Sequence, residues 1–203
     1  MGFTSEGPSG LAQIKGAGIQ PFLAWYSARY GAGKLASAAA AIPPGLRASF
    51  DLQDAHLGVL TSSWYPAPAI HALLDNMAAA VSPEERGELA REGARAIMDA
   101  TLKGVYRWLF ETMMTPERYG RNAQSLFRRY YDAGTMTKTP LQPAGHLSIV
   151  RDWRAHHPML CDFLAHTAEY VYAALGCRDV QVKRTACVDR GAGECRFEIT
   201  WRP

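Results

Sequence analysis

The chain has 203 residues, 48% of them hydrophobic and 20% charged, enough to bury one sizeable core without staples; neither wholesale disorder nor a membrane span suits that composition. Its 22 Lys and Arg against 19 Asp and Glu leave a net charge of +3, too slight for the dense positive field of a nucleic-acid binder. The charge is unevenly placed, with 3 basic and 8 acidic groups in residues 51–100 and 7 basic and 3 acidic in 101–150, which makes either solvated helix faces or two surfaces of opposite sign that a partner could meet.

Met1 to Gly18 has no basic start followed by an apolar run, so residues 1–18 read as a flexible lead-in and 19–203 as a single domain of a cytoplasmic protein. Pro21 is a favoured first helical position and opens a helix carrying Phe22, Trp25, Tyr26 and Tyr30, loosened by Gly31 and Gly33. A short helix then ends at Ile42 before Pro43-Pro44-Gly45, and residues 57–65 form an irregular connector. Ile70, Leu73, Leu74, Met77 and Val81 recur at helical spacing.

Ser82-Pro83-Glu84-Glu85 combines a serine cap, a proline at the first helical position and a glutamate placed to close a capping box. The helix it opens is expected to be the longest, with the stripe Ala94, Ile97, Met98, Leu102, Val105 and Leu109. Thr115-Pro116 repeats the signal for a helix with Tyr119, Ala123, Leu126, Phe127 and Tyr130, stopped by Gly134. Two short strands follow, Thr135 to Thr139 and His146 to Asp152, with Leu147 and Ile149 alternating. A helix from Pro158 to Leu175 leads to a second hairpin, in which Val180 and Val182 alternate in the first strand and Cys195, Phe197, Ile199 and Trp201 in the second. Helices first, then hairpin, helix and hairpin, give an α+β fold with a small, mostly antiparallel sheet.

Chemistry-bearing motifs are few. Gly31-Ala32-Gly33-Lys34 lacks the earlier glycine and the following Ser or Thr of a phosphate loop, and Gly-x-Ser-x-Gly is absent. The six histidines show no metal or catalytic spacing, and His156-His157 before a helix reads as a capping or surface pair. Cys161, Cys187 and Cys195 form the constellation that stands out: a hairpin brings the last two together and the preceding helix carries the first, three thiolates for a zinc ion whose fourth ligand is open among Cys177, Asp189, Glu194, His166 and water. Buried thiols that merely pack, or a Cys187–Cys195 disulfide, are the alternatives. Strand parity puts Cys187 opposite Val180 and Val182 unless a bulge intervenes. Trp64, Tyr65, Trp108, Phe110, Phe127, Tyr130 and Tyr131 could line an apolar cavity or form core.

Arg184 to Trp201 (RTACVDRGAGECRFEITW) resembles the closing motif of 4-vinyl reductase (4VR) domains, in which two cysteines eight apart bracket a glycine turn and a third lies on the preceding helix, the place of Cys161. The resemblance implies zinc on Cys161, Cys187 and Cys195 with a glutamate three residues before the middle cysteine, where this chain has Arg184. Ser63-Trp64-Tyr65-Pro66, Leu102-Lys103-Gly104-Val105-Tyr106 and Arg129-Tyr130-Tyr131-Asp132-Ala133-Gly134 resemble a group of bacterial proteins of about this length, related to 4VR domains and more distantly to heme-based nitric-oxide sensors and TRAPP subunits. What this implies is a non-enzymatic sensory module that binds a small apolar or aromatic molecule and acts through a homodimer or a signalling partner. A TRAPP-like scaffold and a tetrapyrrole vinyl-reducing enzyme are the alternatives. The Tyr-x-Ser-x-Arg signature of the heme sensors is missing, so heme is not expected.

Overall fold

The computed structural model describes residues 10–202. Its first element, β1 (Gln13–Lys15), pairs antiparallel with β2 (Trp64–Pro66), Ile14 opposite Tyr65. The expected lead-in is therefore ordered by this point. Ile14 is buried, Lys15 N donates to Tyr130 O at 2.8 Å, and Gln13 N donates to Asp132 Oδ1 at 2.8 Å. A three-residue strand has no period to read, and its partners lie 50 to 120 residues downstream. Residues 1–9 of the lead-in lie outside the described residues.

Helices α1 (Gln20–Tyr30) and α2 (Ala32–Ala40) meet at Gly31, whose φ of 96° suits only glycine. After the single turn α3 (Pro44–Arg47), α4 (Ala67–Ala79) buries Ile70, Leu73, Leu74 and Met77, the residues its spacing selects. α5 (Pro83–Thr101) begins in the predicted capping box: Ser82 Oγ accepts from Glu85 N at 3.3 Å and Glu85 Oε2 accepts from Ser82 N at 3.0 Å. It packs between α1 and α9 (Pro158–Ala174), and at Gly93 a Cβ would fall 2.6 Å from the Phe22 ring, so the crossing depends on that glycine.

The long helix ends sooner than its stripe suggests. Leu102 N closes onto Met98 O at 2.8 Å, Gly104 turns the chain at φ 55°, and α6 (Val105–Met113) starts afresh. The side chains of Val105 and Leu109 lie outside the described set. Thr115 caps α7 (Pro116–Arg121) as predicted, but α8 (Ala123–Phe127) is separate because Asn122 folds back, its Nδ2 donating to Arg118 O at 2.9 Å.

The main sheet is antiparallel in the order β3-β4-β6-β5, from β3 (Thr135–Leu141), β4 (Gly145–Arg151), β5 (Arg178–Ala186) and β6 (Cys195–Arg202), with α9 packed against β5 and β6. The fold is α+β, helical first and antiparallel last, as the sequence indicates. On β6, Cys195, Phe197 and Ile199 face inward while Arg196, Glu198 and Thr200 are exposed. On β4 the buried face is the one the alternation of Leu147 and Ile149 hides: His146, Ser148 and Val150 are buried. β4 lies inside the sheet, so both of its faces carry apolar residues and parity alone does not say which meets the helices. Among the described residues no helix is long and apolar enough to cross a membrane.

Candidate functional site

Two arrangements stand apart from ordinary packing. The first lies where α9 meets the β5–β6 hairpin. Cys161 is in the first turn of α9, Cys187 directly follows β5 and Cys195 begins β6; all three are buried and free. A register shift between Arg184 and Ala186 supplies the bulge that turns Cys187 inward, against its parity in the strand. Cys187 Sγ is 3.7 Å from Cys161 Sγ and 4.0 Å from Cys195 Sγ.

The fourth member is His156, with Nε2 3.5 Å from Cys187 Sγ; all four potential ligand atoms lie within 4.8 Å of one another. Neighbouring contacts hold the loop that carries it. His71 Nε2 bonds Ala155 O at 3.1 Å, while His157 accepts from Met159 N at 3.2 Å to cap α9 and meets Asp75 Oδ1 at 3.0 Å. The His156-His157 pair thus divides its work: His157 is the cap the sequence suggests, and His156 joins the thiols. The fourth-ligand candidates drawn from the sequence are engaged elsewhere. Glu194 pairs with Arg151 at 2.6 Å and with Arg196, His166 bonds Glu169 at 2.8 Å, and Cys177 and Asp189 are not in the cluster. The signal that could have found His156 is its place five residues before Cys161, just ahead of a capped helix start.

Edges of about 3.8 Å belong to a tetrahedron of thiolates with metal–sulfur bonds of about 2.3 Å, close to the sulfur separations here. The thiols are electrostatically unequal. The neighbouring Cys161 thiol, and then His156, pull Cys195 down, whereas the proximity of Cys195, and burial, push Cys161 up. Arg184 faces the Cys161 thiol and donates to Asp162 Oδ1 at 2.6 Å.

The second arrangement is a cavity of about 560 Å³ between the end of α5, α6, the α7–α8 region and α9. Met98, Leu102, Phe110, Met113, Leu126 and Val171 give it an apolar lining, and Arg118 and Arg129 are its charged residues. The break at Gly104 directs α6 into this wall. Of the seven aromatics proposed for a cavity, Phe110 and Tyr130 line it. Phe127 and Tyr131 pack with Trp153 in the core, at ring separations of 5.7 and 4.9 Å. Tyr65 stacks on Phe50 and accepts from Leu60 N at 2.8 Å, Trp64 lies under the Lys15 ammonium, and Trp108 is exposed on α6. Helical spacing could not separate these roles, because a core stripe and a cavity wall repeat alike.

No family model matches the chain, and no curated protein matches its sequence. Its fold is that of H-NOX domain structures. It superposes on the Fe(II) unliganded H-NOX protein from K. algicida with a TM-score of 0.66 at 14% identity, covering 94% of this chain and 97% of that one. An H-NOX protein from S. oneidensis in the Fe(II)NO ligation state gives 0.67 at 10% identity over 94% and 100%, and a structure determined to probe heme distortion in the H-NOX family gives 0.67 at 8% over 94% and 96%. Two expectations are corrected by these likenesses. The fold neighbours are H-NOX structures, not 4-vinyl reductases, and the zinc assignment carried by that resemblance finds no support in them. The exclusion of heme does not stand either, since a missing Tyr-x-Ser-x-Arg does not set the chain's fold apart from that of heme proteins.

Proposed function

We propose that this chain is a non-enzymatic sensory module that holds a small, largely apolar molecule in the cavity beside α6 and α9 and conveys its presence to a partner protein. The cavity carries the reading: about 560 Å³, an apolar lining and few polar groups to fix orientation match what small-molecule sites look like. The H-NOX likeness supports it, because solved structures of that fold carry iron and nitric oxide ligands.

An iron tetrapyrrole can be tested against the donors present. The described lining has no His or Cys, but it offers the thioethers of Met98, Met113 and Met114 and the phenols of Tyr119 and Tyr130, groups that serve as axial ligands in other heme proteins. Arg118 and Arg129 suit paired carboxylates at the ring edge. The donor set fits, and such a group would supply a metal centre for a diatomic gas. Met113 lies at the exposed end of α6, so ligation there would tie occupancy to the position of that helix.

Absorption spectra and native mass spectrometry of the protein purified from heme-replete cells, followed by titration with hemin and with a fluorescent apolar probe, test the reading. A co-purifying small molecule, or saturable uptake of either probe, supports it. A ligand-free protein that takes up neither overturns it.

The cluster of His156, Cys161, Cys187 and Cys195 supports a second, separate reading as a metal site that clasps α9 to the β5–β6 hairpin. Elemental analysis of untagged protein tests it; one metal ion per chain supports the reading, and none reduces the cysteines to packed thiols.

A further inference from the structure

The cavity beside α6 and α9 carries charge of one sign. Its described lining includes Arg118 of α7 and Arg129, which follows α8, and no aspartate or glutamate. Both arginines are exposed, whereas Leu126 of the same lining is half-buried and Val171 buried, so the cavity runs from a wet cationic rim to a dry apolar wall. Acids close by in sequence are committed elsewhere. Glu111 holds Arg107 at 2.9 Å, Glu117 accepts from the Thr115 hydroxyl, and Asp132 accepts from Gln13 N at 2.8 Å. Among the described residues no carboxylate stands within ion-pair distance of Arg118 or Arg129. Arg118 Nη1 donates to Met113 O at 2.9 Å, which sets its fork against the last turn of α6 and leaves the other N–H groups of that fork to face the rim.

We propose that the cavity selects an amphiphilic carboxylate, with its apolar body along the wall and its single carboxylate at the rim between Arg118 and Arg129. The proposal rests on the reading of this cavity as a small-molecule site and adds to it the charge and the orientation of the ligand. A guanidinium stays charged throughout the physiological pH range, and its fork matches the two oxygens of a carboxylate. With no acid of the protein at hand to neutralise them, the two forks are met by an anion from outside.

Solvation sets which end goes in. An ionised carboxylate drawn into an apolar interior loses more in hydration than exposed ion pairs return, whereas at the rim it keeps water on its outer side. The apolar body gains by entering, about four-fold in affinity for each methylene it buries. About 560 Å³ is room enough for such a body. The thioethers of Met98, Met113 and Met114 adapt to an alkyl chain and also make favourable contacts with ring edges, so aliphatic and aromatic bodies share the chemistry that the site recognises. An amine on the same body would meet two like charges at the rim.

The test is calorimetric titration of the ligand-free full chain at pH 7 and low salt. Decanoate and 2-naphthoate offer the carboxylate on an aliphatic and an aromatic body, decanol and 2-naphthalenemethanol are their uncharged counterparts, and decylamine reverses the charge. At least one acid is expected to bind roughly five-fold or more tightly than its own alcohol, with the preference shrinking as salt screens the exposed rim, and decylamine is expected to bind more weakly than decanol. Arg129→Gln should cost the acid several-fold while leaving the alcohol unchanged, and Arg129→Lys should restore part of the loss. An acid no tighter than its alcohol, or a preference that survives both high salt and Arg129→Gln, overturns the proposal. So does a failure of both acids to bind; uptake of hemin or of either alcohol would then preserve the cavity reading, and uptake of none would remove both. The wild-type comparison of acid with alcohol decides this even if a variant fails to fold.

Discussion

Replacing Lys138 with methionine keeps the length of the side chain, removes its ammonium and isolates the electrostatic cost of placing a cation on the inner face of the sheet. Lys138 falls from the usual 10.5 to about 7 because burial penalises the charged form. At about 1.4 kcal/mol per pH unit, that gap comes to roughly 5 kcal/mol. The side chain keeps some water contact, and the faces of Tyr119 and Tyr172 attract the ammonium, which together reduce the net cost to about 2–3 kcal/mol. The sign follows from proton counting. Between pH 7 and 10.5 the unfolded chain holds the lysine proton more tightly than the folded one, so wild-type stability gains from this group as pH rises. At and below pH 7 the cost is present in full. Urea denaturation is therefore expected to show Lys138→Met more stable than wild type by about 2–3 kcal/mol at pH 6, with the difference closing through pH 8 and reduced to its packing remainder near 10.5. A pH-independent difference, or a variant less stable than wild type at pH 6, would refute the burial argument.

Three further outcomes follow from the packing. Gly93→Ala gains about 1 kcal/mol of helix propensity but sets its Cβ 2.6 Å from the Phe22 ring, so overpacking of about 1–3 kcal/mol dominates; thermal melting should fall by several degrees. Val171→Phe fills part of the 560 Å³ cavity and is expected to weaken hemin or fluorophore uptake by roughly ten-fold while the fold persists, measured by titration and circular dichroism. Cys187→Ser removes the thiol that contacts both other cysteines and His156, so under the metal-site reading elemental analysis should find no metal in this variant, while His156→Ala would retain a weakened site.

What the sequence discloses and what it hides divide along a physical line. Local signals held: the Ser82 box, the Thr115 cap, the alternation of β6 and the helical spacing of Ile70 to Met77 each depend on residues within a few positions, and each appears in the structure. Features set by distant partners did not show. β1 exists because β2 and the segment around Tyr130 supply its hydrogen bonds. His146 belongs to the buried face of β4 only because α9 covers that side, and the cavity depends on where Gly104 sends α6. The cysteine spacing exposed three members of the cluster, but the fourth lies on a loop fixed by His71 and Asp75 of α4, far away in sequence.

Arg184 gains a different meaning from that fourth member. An arginine where a carboxylate ligand is expected reads as an obstacle to a metal when the set is three cysteines and a vacancy. With His156 in place no carboxylate is needed, and three thiolates, a neutral imidazole and a divalent ion sum to a single negative charge. In the proposed centre the guanidinium beside Cys161 would offset that charge, and Asp162, at 2.6 Å, holds it there. Supporting groups of this kind typically change metal affinity by about 10–100-fold. Arg184→Met should therefore weaken metal retention against a chelator by about that factor while Arg184→Lys restores part of it. A guanidinium that merely crowded the site would give the reverse, tighter retention once it is removed, and the two outcomes are separated by a single competition titration.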